Sequence, residues 1–371
     1  DPDDARRELV SLVGEETVSV RVIFKKLDAA KRSFFGGRYE GDPLRTAMRW
    51  KHAADVISGA EKEAGGAVDL VYFPYLDAYL RFLPLAIAPE ILLGRRWSGL
   101  YLRNHHHGNS PSWQQRLVML GKGDALLRSG SCAGVGVLDE RFIPQMEKHS
   151  GKRVRLFPDF TNTTLPENPT ALAMEVRRKA EGRKIIGIIG LERRKGILTL
   201  LRTANLAEDR GLSFYFVCGG RIFQEEFTPD EWAWIRTFAG NGHSNVHLDL
   251  SAERLPSEED FNSLFSTFDI AWAAYENFQG SSNTLGKAAA FEIPCLASEG
   301  GCVGERIKVY GNGLTIPQGD EESALSAISR MADQPPAGRY EDFRKDHSIE
   351  RLDDLLGELL DGLSDQSPER L

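Results

Sequence analysis

A chain of 371 residues, 41% hydrophobic and 27% charged, has ordinary globular composition and length for about two or three domains. Its net charge of −8 argues against nucleic acid as a partner, because phosphate-backbone binding asks for a basic face. Four separate cysteines (Cys132, Cys218, Cys295, Cys302) with no CxxC pair suit reduced, packed thiols in the cytoplasm, and no run reaches the ~20 apolar residues of a membrane helix.

The chain opens at Asp1-Pro2, without an initiator Met or a signal peptide. Asp3–Val13 has helical spacing and Thr17–Phe24 is a β-branched strand, so an α/β half is entered one helix late. Either the N-terminal half lacks its first strand or Thr17–Phe24 replaces it. Lys25–Asp42 is a polar, Gly-rich loop. Leu44–Glu63 reads as a helix, Val68–Tyr75 as a strand, and Ala78–Leu93 as helix broken by Pro84 and Pro89. Ser98–Leu102 is a further strand, with His105, His106 and His107 just past its carboxyl end, where ligands of open α/β sheets collect. On a strand, neighbouring histidines point to opposite sides, and no carboxylate stands nearby at ligand spacing, so no metal is expected there. Cys132–Leu138 and Arg153–Phe157 are strands flanking a helix at Asp139–Lys148. The stretch from Asp159 to Arg183 then carries a Pro/Asn/Thr cluster that marks a hinge.

The second half begins with the buried strand Lys184–Ile189. Gly190 to Gly196 (GLERRKG) follows, and a helix starts at Ile197. Arg193, Arg194 and Lys195 so close to a helix N-terminus oppose its macrodipole, which favours an anion there over mere decoration of a loop. Leu212–Cys218 is a strand ending in Gly219-Gly220, where backbone can approach a ligand closely. Helices at Glu231–Phe238 and Glu258–Ser266 flank a strand at Val246–Leu250. In the first of them Trp232 and Trp234 cannot share one face. Next come a strand at Ile270–Ala274 and a polar loop holding Glu276, Gly280, Ser281, Ser282, Asn283 and Thr284. A helix runs over Leu285–Phe291, a strand over Cys295–Ser298 and a helix over Gly304–Tyr310. A hydroxyl-rich helix start can bind phosphate through its free N–H groups, or it can be a plain cap; both readings stand. Ser323–Ala332, Tyr340–His347 and Ile349–Leu360 complete the helices.

The order strand, Tyr/Glu turn, G-S-S-x-x-L, A-A-A helix, Pro, strand, G-G-x-x-G, helix, G-x-G-L resembles the donor-sugar half of GT-B retaining glycosyltransferases, family 4-like, in a variant branch with a Gly-Ser-Ser donor loop. The resemblance implies two Rossmann-like domains facing across a cleft. The acceptor-side domain would be 1–160, the linker 161–182, the nucleotide-sugar donor domain 183–335, and 336–371 the helices crossing back. Members carry two glutamates eight positions apart; here Gln279 and Lys287 stand in their places, with Glu276 out of register. Lys195-Gly196 matches the Lys-Gly that clamps the diphosphate. Leu191 replaces the arginine after Gly190, leaving Arg193 or Arg194 for that role.

The implied function is transfer of a sugar from a nucleoside-diphosphate sugar to a glycan, lipid-linked or small-molecule acceptor, with retention. Donor contacts would come from Gly190, Arg193, Arg194, Lys195, Gly219, Gly220 and 280–285, ending at Leu285. Glu276 would hold sugar hydroxyls, and His105 (or His106) would face the reacting centre. No cofactor or metal is expected, since no DxD-type site is present and cations with a helix N-terminus supply the charge. A catalytically silent nucleotide-sugar binding protein is the alternative. A dinucleotide oxidoreductase lacks its G-x-G-x-x-G after a strand. Cytoplasmic location, with peripheral contact at the inner membrane face through the apolar Tyr79–Trp97 region, is compatible with a lipid-linked acceptor.

Overall fold

The computed structural model describes residues 43–364 apart from 82–84, 108–112, 115–116 and 118–122. The helix, strand and loop expected within the first 42 residues lie outside the described residues. The chain divides into two compact units, Asp1–Leu156 with Leu359–Leu371, and Phe157–Glu358.

In the first unit, α1 (Pro43–Ala64) precedes β1 (Val71–Phe73), α2 (Ala88–Leu92), β2 (Trp97–Gly99), β3 (Val135–Val137), α3 (Ile143–Ser150) and β4 (Val154–Leu156). The strands are parallel. β1 pairs with β2 and β3 with β4, and single bridges Trp97↔Cys132 and Leu100↔Gly136 join the two pairs. Trp50 anchors the core, fully buried, with its ring 5.3 Å from Phe73, 5.0 Å from Trp97 and 5.5 Å from Tyr79. Among the described residues, the expected helix over Ala78–Leu93 is represented by α2 and a 3-10 turn at Leu76–Ala78.

The second unit opens with α4 (Ala171–Ala180), inside the stretch expected to be a linker. Thr170 caps it, its side chain accepting from Ala173 N at 3.3 Å, and Ala173, Val176 and Ala180 bury one face. The Pro/Asn/Thr cluster therefore ends at a helix start, which such residues also mark. Then come β5 (Lys184–Leu191), α5 (Ile197–Asp209), β6 (Phe214–Ile222), α6 (Pro229–Gly240), β7 (Val246–Leu248) and α7 (Glu258–Phe265). β8 (Ile270–Ala273), α8 (Asn283–Ala290), β9 (Cys295–Ser298), α9 (Gly301–Tyr310), β10 (Gly313–Ile316), α10 (Glu321–Asp333), α11 (Tyr340–Asp346) and α12 (Ile349–Ser364) follow. β10 was not anticipated, since the sequence offered Gly311 and Gly313 only as a close to the preceding helix.

The sheet is wholly parallel in the order β10-β9-β8-β5-β6-β7. β5 and β8 carry continuous apolar runs because both their faces are covered. Ile186, Ile188, Phe216 and Trp272 belong to one core, under α5 and α10. Ile185, Tyr215, Ala271 and Ala273 belong to the other, with α4, α8 and α11. From β5 the chain winds outward through β6 to β7, then returns to β8 on the other side of β5. The topological switch point of this doubly wound sheet is therefore between β5 and β8, and its crevice lies beyond their carboxyl ends. None of the four cysteines forms a disulfide, and all are buried. Trp232 packs on the core while Trp234 is exposed, as their spacing requires.

Candidate functional site

The two turns singled out in the sequence are those that leave β5 and β8, and they touch. Glu276 N donates to Arg194 O at 2.8 Å, and Trp272 Nε1 donates to Lys195 O at 3.2 Å. The Arg194 guanidinium lies over the Phe278 ring at 5.1 Å. Gly196 permits this approach. Its φ of +76° is in the left-handed region, and a Cβ there would stand 2.2 Å from Ala274 O. Gly196→Ala is expected to cost about 2–3 kcal/mol, from strain and from forcing the turns apart. The check is the shift in urea midpoint, and a variant as stable as the parent would contradict the packing.

Residues 193–195 form a 3-10 turn ahead of α5, and here the dipole argument is overtaken. Each cation already has a carboxylate. Arg193 is bidentate to Glu231 (3.0 and 2.7 Å), and this guanidinium holds the Glu231 carboxyl down at about 2. Arg194 Nε donates to Glu192 at 2.6 Å, and Lys195 Nζ lies 3.5 Å from the same group. Internal acids thus offset cations that the sequence suggested needed an external anion. Arg193 is committed to α6, whereas Arg194 is half exposed. Lys195 folds back over the end of β5, donating to Ile189 O at 3.1 Å, and burial pushes its ammonium down from the usual lysine range. Beneath it β5 and β6 bulge together: the register shifts between Ile189 and Leu191, and Gly190 and Gly220 both have positive φ. Gly219 lies inside β6 opposite Ile189, because β6 runs on to Ile222 rather than stopping at the glycines.

At the β8 turn the side-chain hydroxyls are turned to the protein. Ser282 caps α8, accepting from Thr284 N at 3.3 Å, as the plain-cap reading expects. The Tyr275 hydroxyl donates to Thr284 Oγ1 at 2.8 Å and lies 2.9 Å from Ser282 Oγ, and burial pushes its phenol up to about 12. Ser281 donates to Asp159 and accepts from the buried Arg306 at 2.8 Å. What the turn leaves unpaired is backbone: the N–H groups of Gly280, Ser281, Ser282 and Asn283 have no protein acceptor among the described residues. Leu285, in the first turn of α8, is buried. The Glu276 carboxylate accepts from Thr199 at 3.0 Å and stands 4.0 Å from Arg193.

Asp159, Thr199, Tyr275 and Arg306 escaped sequence reasoning as supports of these turns. Arg306 had the clearest signal, an arginine on the apolar face of a helix that opens with G-G-x-x-G. His105 belongs to the first unit, exposed on a 3-10 turn with its ring 5.9 Å from Phe142. The surroundings of this turn differ from the strand geometry on which the no-metal expectation was argued. Residues 105–107 are a turn rather than a strand, and a carboxylate does reach them, Asp124, 18 residues on. In the Tyr79–Trp97 region Leu85, Ile87 and Ile91 are exposed, while Arg95 pairs with Glu61. Among the described residues no helix is long and apolar enough to cross a membrane.

No family model matches the sequence, and no curated protein matches it. Solved structures do match. Sucrose-phosphate synthase from Thermosynechococcus elongatus superposes with a TM-score of 0.58 at 18% identity, over 85% of this chain and 78% of that one. A UDP-forming trehalose-phosphate synthase from Burkholderia xenovorans gives 0.60 at 14%, over 93% and 91%. HepE from Anabaena, solved in complex with UDP, gives 0.60 at 14%, over 83% and 81%. The chain has the GT-B fold. At these identities the likeness speaks for architecture, and the resemblance read from the donor-loop residues agrees with it.

Proposed function

We propose that the protein is a glycosyltransferase that takes a sugar from a nucleoside-diphosphate sugar and passes it, with retention, to a saccharide or lipid-linked acceptor. The observation that carries the reading is the meeting of the Lys195 turn with the Ser282 turn at the switch point of the sheet. The step to be accelerated is departure of the diphosphate, on which negative charge grows. The unpaired N–H groups of residues 280–283 leading into α8 and the Lys195 ammonium are fixed before that charge appears, so they need not reorganise to meet it. Arg194 adds a screened contribution from the rim. Glu276, held by Thr199, keeps its other oxygen for hydroxyls of the transferred sugar. His105 takes its place at the reacting centre by resemblance alone. This charge stabilisation uses no metal.

UDP-sugars are the first choice of donor, because similar structures were solved with UDP or are UDP-forming. The exposed Leu85, Ile87 and Ile91 fit an acceptor met at a membrane surface. A thermal-shift panel of UDP, GDP and ADP tests the donor half. A diphosphate that binds the folded state at a hundred times its Kd stabilises by about 2.7 kcal/mol, so one base should stand out. A flat response to all three would overturn the reading. A clear response without diphosphate release from the matching sugar nucleotides, over a panel of acceptors, would favour the silent binding protein.

A further inference from the structure

The first unit holds a second cluster of chemistry-bearing side chains. Because residues 105–107 turn as a 3-10 helix, two successive imidazoles reach one carboxylate. His106 Nε2 lies 2.5 Å and His107 Nε2 2.9 Å from Asp124 Oδ2. The ligand atoms of these three residues all lie within 4.8 Å of one another. Their side chains are 8%, 0% and 1% exposed. The carboxylate is oriented from behind, by the Tyr101 hydroxyl donating to Asp124 Oδ1 at 2.8 Å. The His149 ring, on α3, stands 5.6 Å from that of His107, and its buried Nε2 has no protein partner.

Hydrogen bonding alone does not account for the arrangement. His107 Nε2 is close to Asp124 but badly aligned with it, and neither ring nitrogen of this fully buried residue makes a hydrogen bond. An imidazole desolvated on both sides carries a penalty that a third body would remove. Neighbouring ligands of one ion stand close without being aligned on one another, as His107 and Asp124 do, while His106 Nε2 keeps a hydrogen bond to Asp124. Two imidazoles, a carboxylate and an outer hydroxyl that fixes the carboxylate match the donor set and supporting shell of zinc.

We infer that His106, His107 and Asp124 bind a divalent zinc ion, with His149 placed to approach the fourth position. Bond lengths of about 2.0–2.2 Å set ligand atoms ~3.3 Å apart, so binding asks Asp124 Oδ2 to retreat by less than about 1 Å. The ion would staple the turn after β2 to the turn at Asp124–Arg128 and to α3. It involves the first unit only, and it stands whether or not the donor reading does.

The full chain, made without a polyhistidine tag, is equilibrated with zinc, desalted and analysed for metal. About one zinc per chain is expected for a closed structural site. Asp124→Asn and His107→Gln should lose most of it, while His247→Gln, on β7 of the second unit, should keep it. Should the two site variants fail to fold, cobalt(II) in the unaltered chain decides. Strong visible bands of a four-coordinate ion support the site, and the weak bands of a six-coordinate one overturn it. Absence of bound zinc in the unaltered chain, or folded site variants that retain it in full, would equally overturn it.

Discussion

Lys195→Met is expected to lower kcat for sugar transfer by about 10²–10³-fold with little change in the folded structure, the loss seen when one preorganised donor to a developing oxyanion is removed. The side chain is the only one of the three cations in its turn that combines partial burial with a loose ion pair. Its side chain is 20% exposed, and its ammonium leans on a backbone carbonyl and stands 3.5 Å from Glu192. Burial disfavours the charged form, and a bound diphosphate would restore it, so this cation gains more from the ligand than a solvated one would. Arg194, 50% exposed, sits in a screened environment, and Arg194→Met should cost only about 1 kcal/mol, mostly in KM. Arg193→Met removes the partner of Glu231 and should show first as lost stability of α6. The ordering is the test: transfer kinetics in which Arg194→Met is the more damaging change, or in which Lys195→Met stays within threefold of the parent, would move the diphosphate elsewhere.

The sequence was most readable where one residue has one job. β5 and β8, apolar on both faces, could only be central strands, and the Gly-Ser-Ser turn could only open a helix. Reading failed where meaning depends on a partner far along the chain. Arg193 looks like an anion ligand until Glu231, 38 residues away, is seen to hold it. The hydroxyls of Ser281 and Ser282 look like phosphate ligands until Asp159 and Tyr275 claim them. Three histidines in a row were read as strand-like, with neighbours on opposite sides, whereas in the 3-10 turn His106 and His107 both reach Asp124. Backbone N–H groups, which remain as the donors of the α8 start, leave no mark in a sequence beyond the small residues that uncover them.

Lys287 makes the same point with the largest expected effect on stability. It occupies the place where the resembled family carries a ribose-binding glutamate, which suggests an altered nucleotide contact. The structure turns it away from any ligand. Only 1% exposed, its ammonium donates to Asn262 Oδ1 at 2.6 Å, Glu258 at 2.8 Å and Asn162 O at 2.9 Å, above the Phe261 ring at 4.8 Å. Asn262 in turn donates to Asn162 O and Thr164 O, so α7 and α8 together clamp the strap at 159–164, from which Asp159 reaches Ser281. Lys287→Met keeps the stem but strands one buried acceptor, Asn262 Oδ1, while the exposed Asn162 keeps its bond from Asn262. Glu258 is half exposed and can rehydrate, so the loss falls near the low end for a broken buried pair, about 2–4 kcal/mol. Lys287→Glu, which restores the family residue, should be worse, because it sets a second carboxylate beside Glu258 among acceptors with no donor left to share. Urea midpoints with unchanged slopes would measure both losses. Were Lys287→Glu instead to match the parent in stability and bind UDP more tightly, the lysine would have to face the nucleotide, and the clamp on the strap would not exist.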